Sequence, residues 1–137
     1  MMYKGEHKMI IAKSCGKDYL TEMKLDAEGF HAVYADQGTD IGGAGIDMRP
    51  GQLVLSGYAA CMNIMIRRWM NEEGLAFRNV TVMVDMDNST PGVSKFYKKI
   101  EIDADIPQEK KDELIKRADS CPVCNILKNE KEFYNMD

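Results

Sequence analysis

The chain lacks a basic block, an uninterrupted hydrophobic run of membrane length, and any clustering of histidine. Its formal charge is −4 and its lysines are scattered among acids, so no positive stripe is offered to a phosphate backbone and nucleic-acid binding is excluded. The most apolar stretch carries Asn63, Arg67 and Arg68 within its span, which excludes a membrane-spanning helix and a membrane partner. Met1 to Lys8 holds no apolar segment of the kind a secretory signal needs, and we expect a soluble, cytoplasmic protein. Only two histidines occur, His7 and His31; neither has the carboxylate spacing of a metal ligand, and we expect neither metal nor cofactor. Gly42-Gly43-Ala44-Gly45 lacks the GxGxxG spacing and the preceding strand of a dinucleotide site. Four cysteines are too few and too unevenly spaced for a secreted disulfide scaffold. Any disulfide here is expected to be transient.

What is present fits one ordinary globular domain over residues 1–137, at 45% hydrophobic and 29% charged residues. The first third reads as strands. Met9 to Cys15 is rich in β-formers, Cys15-Gly16-Lys17-Asp18 is a turn signal, and Tyr19, Thr21, Met23 and Leu25 alternate with polar residues, so a hairpin is expected. Phe30 to Ala35 reads as a third strand, followed by a glycine-laden loop. Pro50 then opens a helix of roughly 22 residues, about 33 Å long, apolar on nearly every face until Arg67 and ended by Gly74. Val80 to Met86 and Ile100 to Ile106 alternate as two further strands, Pro107 opens a second helix striped by Leu114, Ile115 and Ala118, and a short third helix begins at Cys121. Lys128 to Asp137 reads equally as a last strand or a tail. The order is α+β: N-terminal antiparallel strands, a long central buried helix, further strands, then C-terminal helices. Five short strands cover only one side of such a helix, so a two-fold homodimer is expected to cover the other.

Chemistry resides in two cysteine contexts. Cys61 lies in Gly57-Tyr58-Ala59-Ala60-Cys61, mid-helix, where a cysteine is a small buried hydrophobe or, if a cation is near, a reactive thiol. Cys121 opens Cys121-Pro122-Val123-Cys124 at a helix start, where the positive helix end favours a thiolate. In isolation that CxxC also fits a thioredoxin-type motif or half a zinc site. A preceding helix instead of a buried strand argues against the first, and the distance of Cys15, His7 and His31 in sequence against the second. Cys15 reads as a half-exposed thiol without a role, and most of the eleven methionines as core filler.

Pro50-Gly51-Gln52-Leu53, then Gly57-Tyr58-Ala59-Ala60-Cys61, then Cys121-Pro122-Val123 about sixty residues later, resembles the OsmC/Ohr family of thiol-dependent hydroperoxide reductases across essentially the whole chain. The resemblance implies an intertwined α+β homodimer. It implies that Cys61 attacks a small organic hydroperoxide, becomes a sulfenic acid, and condenses with Cys121 to a disulfide that an external dithiol reduces. In that family an arginine from the first hairpin turn, held by a glutamate at the start of the long helix, serves the attacking thiol. Here the turn offers Lys17, and Gly51 stands where the glutamate would be; Arg49 and Asp47 are the nearby candidates to compensate, and Lys17 and Arg49 complete the expected catalytic set. Lysine lacks the planar fork of arginine, so the exchange is not conservative. A non-catalytic OsmC-like module, binding a small apolar ligand or sensing redox state, is the alternative those two replacements favour.

Overall fold

The computed structural model of the protein describes residues 9–16 and 18–136. His7 and Lys17 lie outside the described residues. The chain divides into two compact units, one holding the residues up to Leu53 together with those from Lys131, the other Val54–Glu130.

The first unit is built on a three-stranded antiparallel sheet, β1 (Ile10–Ser14), β2 (Thr21–Leu25) and β3 (Val33–Ala35), in the order β1-β2-β3. The expected hairpin forms with Ile10 opposite Leu25 and Ser14 opposite Thr21. β3 is shorter than the Phe30 to Ala35 expected, because it pairs only with Thr21, Glu22 and Met23 of β2. The glycine-laden loop is organised by Asp36, buried at 4% exposure, whose carboxylate accepts the backbone N–H groups of Gln37 (2.7 Å) and Ala44 (3.1 Å). A Cβ on Gly43 would run into the Gln37 carbonyl, so the loop can close only on glycine. From Lys131 to Met136 the chain forms no helix or strand, and Phe133 and Tyr134 are exposed.

The long helix α1 (Pro50–Glu72) starts where Pro50 predicts. Its first turn is closed by the Gln52 side chain, whose Oε1 accepts the Arg49 N–H at 2.9 Å, and by the Leu53 N–H donating to the Arg49 carbonyl. It stops in a Schellman motif: Gly74, at φ +69°, donates to Asn71 and Leu75 donates to Met70. The division between the units falls after Leu53, within this first turn.

In the second unit α1 buries one stripe, Met62, Ile66, Trp69 and Met70, spaced as i, i+4, i+7 and i+8. The other side of the helix is not covered within the single chain, as expected of five short strands: Val54 and Ile64 are about half exposed. The stripe shares a core with the two-stranded antiparallel ribbon of β4 (Asn79–Asp87) and β5 (Lys95–Asp103), and with α2 (Gln108–Arg117) and α3 (Pro122–Lys128). Val80 faces Ile102 across the ribbon, Asp87 faces Lys95, and Leu114 of α2 is fully buried. β5 starts five residues before Ile100 and ends before Ala104, because its length is set by pairing with all nine residues of β4. Asn63 ties α1 to the ribbon, its Nδ2 donating to the Val80 carbonyl at 2.9 Å. Arg117 stacks over the Trp69 ring at 4.3 Å, adding a cation–π contact at the core's edge. Among the described residues no helix is long and apolar enough to cross a membrane.

Candidate functional site

Cys61 and the start of α3, which Cys121 caps sixty positions later in the chain, come together in the second unit. Cys61 is half-buried on α1, and its Sγ accepts the backbone N–H of Val123 at 3.5 Å. The Cys61 sulfur thus finds a hydrogen-bond donor at the start of α3. Cys121 is fully buried as the N-cap of α3, with Pro122 in the first turn as the sequence predicts. Its Sγ accepts the Cys124 N–H at 3.3 Å.

The disulfide in the structure is Cys121–Cys124, and Cys61 and Cys15 are free. This differs from the Cys61–Cys121 bridge that the resemblance implies. The cause is local. A cap residue and the residue three positions on sit on one side of a helix start, and here their Cα atoms are 5.1 Å apart, inside the range a disulfide spans. Cys124 Sγ also lies 3.4 Å from the Ala118 carbonyl, a contact in which the reduced thiol is the donor.

Around the sulfurs the lining is apolar. Tyr58, one turn before Cys61, packs edge-to-face on Phe96 with ring centroids 5.6 Å apart, and burial pushes its phenol above the ordinary tyrosine range. Lys98 of β5 pairs with Asp119, just ahead of the Cys121 cap. Burial, with the Lys128 charge second, pulls the Lys98 ammonium below its usual range.

Arg49 belongs to the first unit, where its Nη2 lies 3.2 Å from Asp40 Oδ1 and its guanidinium covers Gly38. Arg49, the arginine expected to compensate alongside Asp47, thus already has a carboxylate partner in Asp40, a residue with no motif to mark it. Lys17, the other expected cation, lies outside the described residues. The first unit also holds an apolar cavity of about 450 Å³ whose walls include Tyr19, Thr21, Met23, Asp36, Pro50 and Leu53. Among the described residues no three His, Cys, Asp or Glu side chains gather in a way that would hold a metal ion.

The family model described as OsmC-like protein matches residues 42–134, a span that contains both cysteine motifs and all of the second unit. The chain belongs to the OsmC-like family. Among solved structures, this OsmC-like chain is similar to an OsmC-like protein of Mycoplasma pneumoniae, at 18% identity over 92% of this chain and 90% of that one, with a TM-score of 0.70. It is also similar to an organic hydroperoxide resistance protein OsmC of Legionella pneumophila, at 23% identity over 92% and 93% of the two chains, with a TM-score of 0.61. The organic hydroperoxide resistance protein OhrB of Bacillus subtilis matches at 20% identity over 89% and 90%, with a TM-score of 0.58. At these identities the likenesses establish the OsmC-like α+β fold. No curated protein matches the chain.

Proposed function

We propose that the protein is a thiol-dependent reductase of organic hydroperoxides, acting as a homodimer of single OsmC-like domains. The observation that carries this reading is the convergence of Cys61 on the Cys121 cap, with the Val123 N–H 3.5 Å from the Cys61 sulfur. Cys61 attacks the distal oxygen of the hydroperoxide, the O–O bond breaks, the alcohol leaves and Cys61 becomes a sulfenic acid. Cys121 condenses with it, water leaves, and an external dithiol returns both to thiols. The Val123 N–H steadies charge on the Cys61 sulfur, and Tyr58 and the methionines flanking Cys61 supply an apolar approach suited to alkyl peroxides over hydrogen peroxide. Two of the solved relatives, those of Legionella pneumophila and Bacillus subtilis, carry organic hydroperoxide resistance in their names, which supports the same substrate class. Lys17 and Arg49 remain the candidate cations.

A second reading has its own support: Gly51 provides no carboxylate, Arg49 is held by Asp40, and the first unit contains an apolar cavity of about 450 Å³. On that reading the module binds a small apolar ligand without turnover. Steady-state consumption of cumene hydroperoxide with dithiothreitol as reductant separates the two. The reductase reading predicts turnover in the wild type and a loss of at least about a hundredfold in Cys61→Ser, the scale expected when the nucleophile is removed. Equal consumption by both proteins contradicts it.

A further inference from the structure

Cys124 is the sulfur that this reaction leaves unused. It is 2% exposed and bonded to Cys121, which is fully buried, while the free thiol Cys61 is half-buried and accepts the N–H of Val123, a residue lying between the two bonded cysteines. A dithiol in solution must bring its sulfur in line with the sulfur it attacks, and burial closes Cys121 and Cys124 to that approach. Cys61 is the member of the cluster that solvent reaches.

We propose that the three sulfurs form a relay, in which oxidising equivalents taken up at Cys61 come to rest in the buried Cys121–Cys124 disulfide and return to solution only through Cys61. The proposal rests on the hydroperoxide reading of the same site. Once the Cys61–Cys121 bond has formed with loss of water, the Cys124 thiolate attacks Cys121 Sγ. The Cys121–Cys124 bond forms, the Cys61–Cys121 bond breaks, and Cys61 leaves as a thiolate. The two electrons given to the hydroperoxide have then come from Cys121 and Cys124, and Cys61 is reduced again. Reduction runs the exchange backwards. Cys61 attacks Cys121 and releases Cys124; one sulfur of the external dithiol attacks Cys61 and releases Cys121; its second sulfur closes the dithiol's own disulfide and releases Cys61.

Two measurements test the relay. In the first, fully reduced protein receives one equivalent of cumene hydroperoxide, is quenched at intervals with acid and alkylating agent, and is mapped by peptide mass spectrometry. A Cys61–Cys121 bridge is expected early and a Cys121–Cys124 bridge with alkylated Cys61 at the end. Cys124→Ser, whose hydroxyl can still donate to the Ala118 carbonyl, is expected to stop at Cys61–Cys121, and Cys124→Ala serves as a second variant should the first fold poorly. A wild-type end state of Cys61–Cys121 overturns the relay and leaves the reductase reading standing. In the second, the Cys121–Cys124 disulfide is formed with diamide, without peroxide, and its reduction by dithiothreitol is timed in wild type and in Cys61→Ser. At least tenfold slower reduction in the variant is expected; equal rates overturn the relay. Failure to consume hydroperoxide in the first experiment instead overturns the reductase reading, and with it the relay's oxidative half.

Discussion

Arg78 illustrates how much one side chain arranges. Its Nε donates to Asp103 Oδ1 at 2.9 Å, Nη1 and Nη2 take both oxygens of Asp105 at 3.1 and 3.2 Å, and its backbone N–H donates to the Asp103 carbonyl. The guanidinium, first through hydrogen bonding and then through its charge, holds the Asp105 carboxyl below the ordinary aspartate range, and the pair in turn holds Arg78 above the ordinary arginine range. A carboxyl depressed in the folded state contributes stability that is present above its unfolded pKa of about 3.9 and is lost as pH falls through the folded value. Urea unfolding of Asp105→Asn across the acid range should therefore fall off less steeply below about pH 4 than wild type. The difference should shrink in high salt because the pair is exposed; parallel acid limbs would contradict the assignment. Residues of this kind are half legible in sequence. Cys61 and Cys121 stand out as candidates through two motifs, but that Val123 offers its N–H to Cys61, and that Cys124 is bonded to Cys121, depends on how the start of α3 docks in the core. Asp36, buried to close a loop, carries no sequence signal beyond the glycines around it.

The elements were legible where periodicity and punctuation agree. Pro50 and Gly74 bracket α1 because proline suits a first turn and glycine a left-handed cap, and both act through the backbone alone. β4 and the Cys121 start of α3 follow for the same local reasons. β5 differs from the pattern because alternation continues through Ala104 and Ile106 while the ladder ends at the Asn79–Asp103 pair: Ala104 is buried beyond the strand's end. β3 was overestimated because its length depends on how much of β2 remains to be paired, which no pattern inside Phe30 to Ala35 records. The apolar faces of α1 are legible in its sequence. Which of them the chain itself covers is a tertiary fact: the Met62, Ile66, Trp69, Met70 stripe is buried, and Tyr58, Cys61 and Met65 beside it are partly so.

At the scale of the whole molecule the uncovered apolar surface asks for a partner. Every residue of β1 is exposed, including Ile10 and Ile11 in the first unit, and Val54 and Ile64 stand exposed on α1 in the second. A single chain in water does not favour such surface, and a second copy is the economical cover. Light scattering on the eluting protein should give twice the 15.5 kDa chain mass, and Ile64→Glu should shift it toward one chain; a single-chain mass for wild type at tens of micromolar, well above the dissociation constant expected of a stable interface, would contradict the homodimer. On the proposed function, Cys61 takes oxygen from an organic hydroperoxide. Its most direct test is to treat the Cys121→Ser, Cys124→Ser double variant with one equivalent of cumene hydroperoxide in the presence of dimedone, which traps sulfenic acids. With no neighbouring thiol left to condense with, Cys61 is predicted to carry the dimedone adduct within minutes; an unlabelled Cys61, or a label on Cys15 alone, would contradict the account.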